Sequence, residues 1–294
     1  MGKTNSLKTI TVKITMDKLL LVDGNNLLFQ MFFGMPSRII NKDGKAIQGT
    51  LGFVGALLKI INQTKPTHVA VLFDGDCSEE RKQTNADYKA NRIDYSCVAD
   101  EENPFTQIDD VYAALDHLNV KHTESCGCES DDLIAGYALN YGKDAQIVIA
   151  SFDSDFFQLI TPNVSIMRYR GDNTVICDEQ YLKNKFNITP SVYADFKSLT
   201  GDSADNIKGA NKVGPKTAAL LINQFGSLQN LIDNADQITK PAIRQSICDD
   251  KARLLDNYKI IKLNSRCPLP FTLEELKYTL PNTTTRAVLS AIGL

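Results

Sequence analysis

The chain alternates short apolar runs with longer stretches in which apolar residues recur at helical spacing. Three runs, at 19–22, 67–73 and 146–152, are apolar at nearly every position, which is typical of parallel strands buried on both faces. Helix-like stretches such as 51–61 and 109–118 lie between them. This β-α-β alternation predicts an α/β fold built on a parallel sheet.

Carboxylates stand at the ends of these runs. Asp23, Asp74 and Asp153 each follow an apolar run directly. Because ligands of open parallel sheets bind at the carboxyl ends of the strands, we expect these three side chains to share one edge of the sheet. Six more acidic residues begin a helical stretch, follow Asp153 or lie in a turn-rich segment: Glu129, Asp131, Asp132, Asp155, Asp202 and Asp205.

Each acidic pattern has an ordinary structural explanation when it is taken alone. Acidic residues are favoured in the first turn of a helix, and Asp-x-Asp pairs occur in many surface strands. Packing does not require nine carboxylates in these places, however. Carboxylates that converge on one cleft repel one another and resist ionisation unless divalent cations neutralise them. The combined pattern therefore predicts a site for hard divalent metal ions.

Two other segments carry residues expected at a phosphate-binding surface. A glycine-containing turn at 209–218 leads into an apolar helical run, and its backbone N–H groups, Lys212 and Lys216 could hold a phosphate. An αα-hairpin explains the same spacing equally well. At 88–92, aromatic and basic residues are interleaved, as in surfaces that bind a nucleic-acid backbone and stack a base. A solvent-exposed helix face is the alternative there.

Taken in order, these motifs resemble those of the 5′-nuclease family, which includes flap endonucleases, phage 5′-exonucleases and the N-terminal domain of bacterial DNA polymerase I. The resemblance extends from about residue 19 to the C-terminus, and all the expected acidic positions are filled. The motifs lie at 21–26, 73–74, 88–92, 129–132, 153–155, 201–207 and 213–218.

The resemblance implies a PIN-like nuclease domain with a helical arch and a C-terminal helix-hairpin-helix region. We place a flexible extension at 1–16, the α/β nuclease domain at 17–182 and the helical C-terminal region at 183–294. The arch would span about 76–108, and a free 5′ single strand would pass through it. A hairpin-like pair of strands is expected at 164–169 and 174–177, before the domain boundary.

The resemblance also implies roles for particular residues. Two ions of Mg²⁺ or Mn²⁺, about 4 Å apart, would hold the scissile phosphate. The first metal group would be Asp23, Asp74, Glu129, Asp131 and Asp132, and the second Asp153, Asp155, Asp202 and Asp205. Lys89 would stabilise phosphate charge beside the catalytic carboxylates Asp23, Asp74 and Asp131, and Tyr88 would stack on a base. Other expected DNA contacts are Arg81, Arg92, Lys212, Gly214, Lys216 and Thr217. A K⁺ ion held by backbone carbonyls of the hairpin is a further expectation.

Three residues depart from the family pattern. Members often carry Gly before the first aspartate of Asp-x-Asp and Lys between the two, where this chain has Phe152 and Ser154. Loss of that lysine predicts lower activity or an altered metal preference. Lys208 replaces a more usual proline, which removes a rigid turn and adds a charge. None of these changes removes an expected metal ligand.

Charge and cysteine content constrain the remaining possibilities. The net charge is −3, but the residues outside the nine carboxylates carry +6, which is compatible with a basic surface around an acidic cleft. The seven cysteines include the pair Cys126 and Cys128, but no second pair supports zinc. An odd number of cysteines without a signal peptide predicts a cytoplasmic protein, and no apolar run is long enough to span a membrane.

From the resemblance we expect a metal-dependent, structure-specific 5′-nuclease that acts in primer removal and DNA repair. Its substrates would be DNA with 5′ flaps, branched or nicked duplex, and RNA primers. Because the sequence stops where a polymerase domain would begin in DNA polymerase I, we expect a free-standing nuclease, and a monomer. A PIN-type ribonuclease, a catalytically silent junction-binding module and an unrelated α/β domain with coincidental acidic turns are the alternatives.

Overall fold

A six-stranded sheet with the order β3-β2-β1-β4-β5-β6 lies at the centre of the computed structural model, which describes residues 16–75 and 87–294. Strands β1 to β5 are parallel to their neighbours, and β6 pairs antiparallel with β5. The strands are β1 (Asp17–Asp23), β2 (His68–Phe73), β3 (Lys121–Glu124), β4 (Ala145–Ala150), β5 (Val164–Arg168) and β6 (Val175–Cys177). The predicted parallel sheet and the hairpin-like β5–β6 pair are confirmed.

The central strands are buried on both faces, which explains their uninterrupted apolar sequence. Side chains alternate between the two faces of a strand, so Leu19 and Leu21 of β1 pack into one core while Leu20 and Val22 pack into another. Strand β3 was not predicted, because its sequence is polar and it lies at the edge of the sheet with both ends exposed.

Helices cover both faces of the sheet. Helices α1 (Gly24–Gly34), α2 (Gln48–Thr64) and α3 (Ile108–His117) share the core that contains Leu20. Helix α4 (Ser130–Tyr141) packs on the opposite face, with Leu133 and Ile134 in the core that contains Leu19. Helix α4 begins directly after Glu129, as the acidic first turn predicted.

The C-terminal region is mainly helical and shares the core beneath α4. Its elements are α5 (Glu179–Phe186), α6 (Tyr193–Thr200), β7 (Gly201–Asp202), β8 (Ile207–Lys208), α7 (Pro215–Phe225), α8 (Leu228–Asp233), α9 (Pro241–Asp249), α10 (Lys251–Ile261) and α11 (Thr285–Ala291). Residue 183, the expected boundary, lies within α5. The last segment returns to the sheet, where the amide of Tyr278 donates to the carbonyl of Thr67 at 2.8 Å.

The described part of the expected arch differs from a long helix. Residues 95–97, 100–102 and 104–107 form three separate 3₁₀ turns. The side chains of Asp94 and Asn103 accept hydrogen bonds from the amides of Ser96 and Phe105, which starts a new turn at each place. Residues 1–15 and 76–86, with Arg81, lie outside the described residues. Within the described ranges, no helix is both long and apolar enough to cross a membrane.

Candidate active site at the carboxyl edge of the sheet

Asp23 and Asp74 are held at the carboxyl edge by polar groups from neighbouring elements. Oδ1 of Asp23 accepts from the amide of Asn26 at 3.1 Å, which caps α1, and Oδ2 accepts from the hydroxyl of Ser151, just after β4, at 2.8 Å. Oδ1 of Asp74 accepts from both the amide and the hydroxyl of Ser130, at 3.0 and 2.7 Å. The ends of β1, β2 and β4 and the start of α4 therefore converge, as the acidic pattern predicted.

Asp131 lies in the first turn of α4, and its pKa shows that it is close to the carboxylates at the ends of the strands. Burial raises the pKa of Asp131 well above its usual range, and the charges of Asp153, Asp23 and Asp74 raise it further, while Lys89 opposes them. Burial likewise raises the pKa of Asp23 to about 7, with Asp74 as the next contribution. These carboxylates thus repel one another in the folded protein, as expected of a site that takes up cations.

A second acidic group is organised around Lys197, which sequence reasoning missed. Lys197 lies on α6 and is 5% exposed, and its Nζ atom contacts Asp155 and lies 2.5 Å from Oδ2 of Asp202. Burial raises the pKa of Asp155 to about 7 even though Lys197 opposes it. Burial would also raise the pKa of Asp202, but Lys197 and hydrogen bonds from the amides of Ala204 and Asp205 together outweigh burial and lower this pKa. The sequence gives no clear signal for this role, because Asp195 and Ser198 also interrupt the apolar residues of 193–199.

Asp153 connects the two acidic groups. Its Oδ1 atom accepts from the amide of Asp155 at 2.7 Å, and its own amide donates to the hydroxyl of Ser151 at 3.0 Å. Its charge also raises the pKa values of Asp131 and Asp155, which belong to different groups. The two groups expected from the sequence therefore form one continuous acidic cleft.

Lys89 lies at the wall of this cleft. Its Nζ atom is 3.0 Å from Oε1 of Glu129, and both side chains are largely buried. Burial alone would lower the pKa of Lys89, but its contacts with Tyr88 and Glu129 outweigh burial and raise it. The amide of Lys89 donates to the carbonyl of Asp205 at 3.1 Å. Lys89 is therefore a fixed cation that contacts residues of both acidic groups.

The base of the arch is attached to the turn that carries the last aspartates. Nη2 of Arg92 lies 2.8 Å from Oδ1 of Asp205, and the side chain of Asn91 donates to the carbonyl of Ser203 at 3.0 Å. Asn91 and Arg92 follow β2 in the chain, whereas the turn follows α6 in the C-terminal region. The described start of the segment expected to form the arch and the C-terminal region therefore share the wall of the cleft.

Two residues have surroundings that differ from their expected roles. Tyr88 is only 4% exposed and packs with Ile207 and Ile260, so its ring has no free face for stacking on a base. Its predicted stacking role is therefore wrong for this conformation. Oδ1 of Asp132 accepts from the amide of Asn264 at 2.8 Å, because adjacent side chains on a helix diverge and Asp132 faces the returning C-terminal segment.

The predicted hairpin connects α6 and α7 through the β7–β8 pair. Gly214 is the N-cap of α7 and has no side chain. The first amides of α7 therefore receive no hydrogen bond from a capping side chain. Lys212 and Lys216 are exposed beside this helix start, and Thr217 is half-buried in its first turn. The arrangement has the donors and charges that bind a phosphate.

An aromatic cluster at α1 is a second feature that sequence reasoning missed. Phe29 contacts Tyr95 and Phe105 edge to face, with ring centroids 5.2 and 5.4 Å apart, and lies 6.0 Å from Phe33. Phe33 is 57% exposed. The spacing of Phe29 and Phe33 by one helical turn was the available signal. The two members of the cluster on α1, Phe29 and Phe33, follow Asp23 by six and ten residues.

The fit of this cleft to divalent ions rests on charge. Asp23 and Asp155 are buried, Asp131 is half-buried, and all three have raised pKa values. Cations would relieve the repulsion that each of them experiences from neighbouring carboxylates such as Asp153. Oxygen ligands of this kind suit Mg²⁺ and Mn²⁺. Among residues 16–75 and 87–294, no three His, Cys, Asp or Glu side chains have the geometry of a direct metal site.

The two halves of the chain match two family models. Residues 18–187 match the N-terminal resolvase-like domain of 5′-3′ exonucleases, and residues 188–284 match their C-terminal SAM fold. The chain belongs to the 5′-3′ exonuclease family. The family predicted from the ordered motifs is thus confirmed, and with it the α/β nuclease fold.

Curated relatives agree with this membership of the 5′-3′ exonuclease family. The chain is 33% identical over 270 residues to DNA polymerase I of Rhizobium leguminosarum, covering 88% of this chain and 26% of that protein. It is 31% identical over 264 residues to DNA polymerase I of Bacillus subtilis, covering 89% and 29%. The chain therefore spans less than a third of the length of these relatives.

Two solved structures share the fold of this chain. The T5 5′-exonuclease with bound zinc ions superimposes with a TM-score of 0.71 at 22% identity, covering 84% of this chain and 90% of that one. The catalytic core of Rad2 in complex with a DNA substrate gives a TM-score of 0.58 at 16% identity, covering 91% and 84%. At these identities the similarity establishes the fold.

Proposed function

We propose that this protein is a structure-specific 5′-nuclease that hydrolyses DNA phosphodiesters at 5′ flaps and 5′ ends with bound divalent cations. The observation that carries the proposal is the acidic cleft, in which the charge of Asp153 raises the pKa values of both Asp131 and Asp155 and Lys89 is a fixed cation at the wall. Repulsion of this kind has no role in packing. It fits a site that is completed by cations and a phosphate.

Two groups of carboxylates would hold the ions, directly or through water. The first is Asp23, Asp74, Glu129 and Asp131, and the second is Asp153, Asp155, Asp202 and Asp205. Bound Mg²⁺ or Mn²⁺ would supply a hydroxide nucleophile and neutralise charge on the leaving oxygen. Structures of the T5 5′-exonuclease with metal ions support the assignment of divalent cations to this fold.

The chain's own residues would position the phosphate and balance its charge. Lys89 is fixed by Glu129 and remains protonated across the physiological range, so it can stabilise negative charge that develops on the phosphate. Arg92, held by Asp205 at the arch base, would bind the next phosphate along the strand. Arg81 belongs to the same proposed strand contact, although it lies outside the described residues.

The duplex would be bound at a distance from the cleft by the start of α7. Gly214 leaves the first amides of α7 available, and Lys212, Lys216 and Thr217 lie around them. These groups recognise the phosphate backbone, so the protein would select a junction by shape and not by base sequence. Branched or nicked duplex and RNA primers are the proposed substrates, and a monomer is the proposed assembly.

Cleavage of a labelled flap duplex tests this proposal. A 5′-end-labelled flap, matched single-stranded DNA and matched RNA are incubated with EDTA, Mg²⁺ or Mn²⁺. We expect incision near the flap junction that requires the metal. Preferential cleavage of single-stranded RNA would support a PIN-type ribonuclease instead. Tight flap binding without cleavage under any ion would support a silent junction-binding module.

Two aspartate variants compare the effect on cleavage of losing a carboxylate in the cleft with that of losing one elsewhere on the surface. Asp202→Ala should lose cleavage but keep flap binding, because it removes a cleft carboxylate and leaves the proposed phosphate donors Lys212, Lys216 and Thr217 in place. The control is Asp256→Asn, which changes an exposed residue paired with Lys259 and should cleave normally. Full activity of Asp202→Ala would remove this residue from the site.

A further inference from the structure

The backbone carbonyls at the start of the hairpin are already hydrogen-bonded to side chains of α10. Nη1 of Arg253 donates to the carbonyls of Lys208 and Gly209, the latter at 2.9 Å. Nδ2 of Asn257, which is almost fully buried, donates to Lys208 at 2.8 Å and to the carbonyl of Ser198 at 3.2 Å. A helix of the chain itself therefore supplies the donors for the turn.

Two further carbonyls of the hairpin, those of Ala210 and Gly214, also accept hydrogen bonds. The carbonyl of Ala210 accepts from the amide of Val213 at 3.2 Å, and that of Gly214 accepts from Ala218 at 2.9 Å. Gly209 is required here, because a Cβ atom at this position would lie 2.4 Å from the carbonyl oxygen of Leu199. The turn is thus closely packed on the end of α6.

Arg253 is held in this position from its other side. Its Nη2 atom lies 2.5 Å from Oδ1 of Asp250, and Oδ2 of Asp250 accepts a long hydrogen bond of 3.5 Å from the amide of Asn211. The guanidinium therefore contacts the hairpin backbone and a carboxylate that also contacts the hairpin. A fixed planar cation with several donors can satisfy carbonyls on adjacent residues at once.

A potassium ion held by these carbonyls, which the family resemblance led us to expect, does not fit this arrangement. The carbonyls of Lys208 and Gly209 point at a guanidinium, and a second cation beside Arg253 would be repelled. We propose that Arg253 takes the place of a monovalent cation in the hairpin, so that the proposed grip on duplex DNA does not depend on K⁺. This inference rests on the proposed function.

Binding of a labelled nicked duplex in matched KCl and NaCl tests the inference. Wild-type protein should bind with dissociation constants within about twofold of each other in the two salts. Arg253→Met should bind about fivefold more tightly in KCl than in NaCl, because it exposes the carbonyls to the ion. A wild-type preference for KCl of that size would overturn the proposal, and so would an Arg253→Met variant with no preference.

Two control variants test whether the salt preference arises from the guanidinium of Arg253 itself. One removes an arginine at another site, and the other removes the carboxylate partner of Arg253. Arg286→Met removes an exposed arginine of α11 and should behave like the wild type in both salts. Asp250→Asn removes the carboxylate but leaves the guanidinium on the carbonyls, so it should also be indifferent to the choice of salt. A K⁺ preference in Asp250→Asn equal to that of Arg253→Met would contradict a specific role of the guanidinium.

Thermal melting of the DNA-free protein provides a second test that does not depend on nuclease function. Arg253→Met should melt several degrees below Arg286→Met, and KCl should restore more of this loss than NaCl. If the wild type binds no duplex in either salt, the proposed function fails while this comparison still tests the role of Arg253. Equal melting of the two arginine variants would overturn the inference.

Discussion

The Nζ atom of Lys197 lies 2.5 Å from Oδ2 of Asp202, inside the cleft that is proposed to bind cations. The same ammonium contacts Asp155, so one side chain of the protein neutralises part of the second acidic group. The metal-free fold therefore depends on this lysine, because the two carboxylates are otherwise buried near each other.

Lys197→Met should destabilise the metal-free protein. Removing one partner of a buried ion pair costs about 3 kcal/mol, which corresponds to a fall in Tm of roughly 5–10 °C. Mn²⁺ should raise the Tm of the variant more than that of the wild type, because the ion replaces the lost positive charge. Melting in EDTA and in Mn²⁺ measures both effects. Lys259→Met, at an exposed ion pair, is the control and should change little.

The stability of the metal-free protein should fall as the pH rises through about 7. The folded-state pKa of Asp23 is raised to about 7 from an ordinary value of 3.8, so its contribution is complete below the ordinary value and is lost as the pH rises through the folded value. We expect a decreasing Tm between about pH 4 and pH 7 in EDTA.

Asp23→Asn should make the Tm less dependent on pH, because the folded variant binds about one proton fewer than the folded wild type in this range. Divalent ions at high pH should restore the stability of the wild type. Asp256→Asn serves as the exposed control and should leave the profile unchanged. The assignment to Asp23 fails if the melting profile of Asp23→Asn has the same slope as that of the wild type.

Lys89→Ala should reduce cleavage much more than flap binding. Loss of a fixed positive charge beside the reacting phosphate typically costs about 100-fold in rate. Binding should weaken less than about tenfold, since the other phosphate contacts remain. Single-turnover cleavage and equilibrium binding of the same flap provide the comparison. Lys59→Ala, at an exposed position of α2, is the control. Equal losses in binding and rate would assign Lys89 to substrate binding alone.

Asp132 should act by positioning α4, in contrast to its neighbour Asp131. Asp132→Asn keeps an oxygen that can accept from the amide of Asn264, so its cleavage rate and Tm should stay near those of the wild type. Asp132→Ala leaves that amide without its acceptor and should cost about 1–3 kcal/mol of stability. Asp131→Asn should lose cleavage about 100-fold, because it removes a charge from the cleft.

Calorimetric titration with Mn²⁺ separates the two roles of these neighbours. Asp132→Asn should retain the affinity of the wild type, whereas Asp131→Asn should bind Mn²⁺ more weakly. If Asp132→Asn is as inactive and as weak in Mn²⁺ binding as Asp131→Asn, then Asp132 is a metal ligand, as the family resemblance first suggested.

The features that the sequence predicted best were those set by residues close together along the chain. Strands β1, β2 and β4 were predicted because their burial on both faces leaves a continuous apolar run, and α4 because its first turn is acidic. The convergence of Asp23, Asp74 and Asp153 followed from the parallel order of these strands. The edge strand β3 carries no such run and was missed.

The sequence by itself therefore determined the fold class, the edge of the sheet at which the carboxylates meet and the family. Only the tertiary structure decided which cations the protein itself supplies, because Lys197 reaches the cleft carboxylates from α6 and Arg253 reaches the hairpin carbonyls from α10. It also decided that Tyr88 is buried and that Asp132 faces Asn264. Local patterns report how each segment is buried, whereas charge pairing depends on distances between segments that only packing sets.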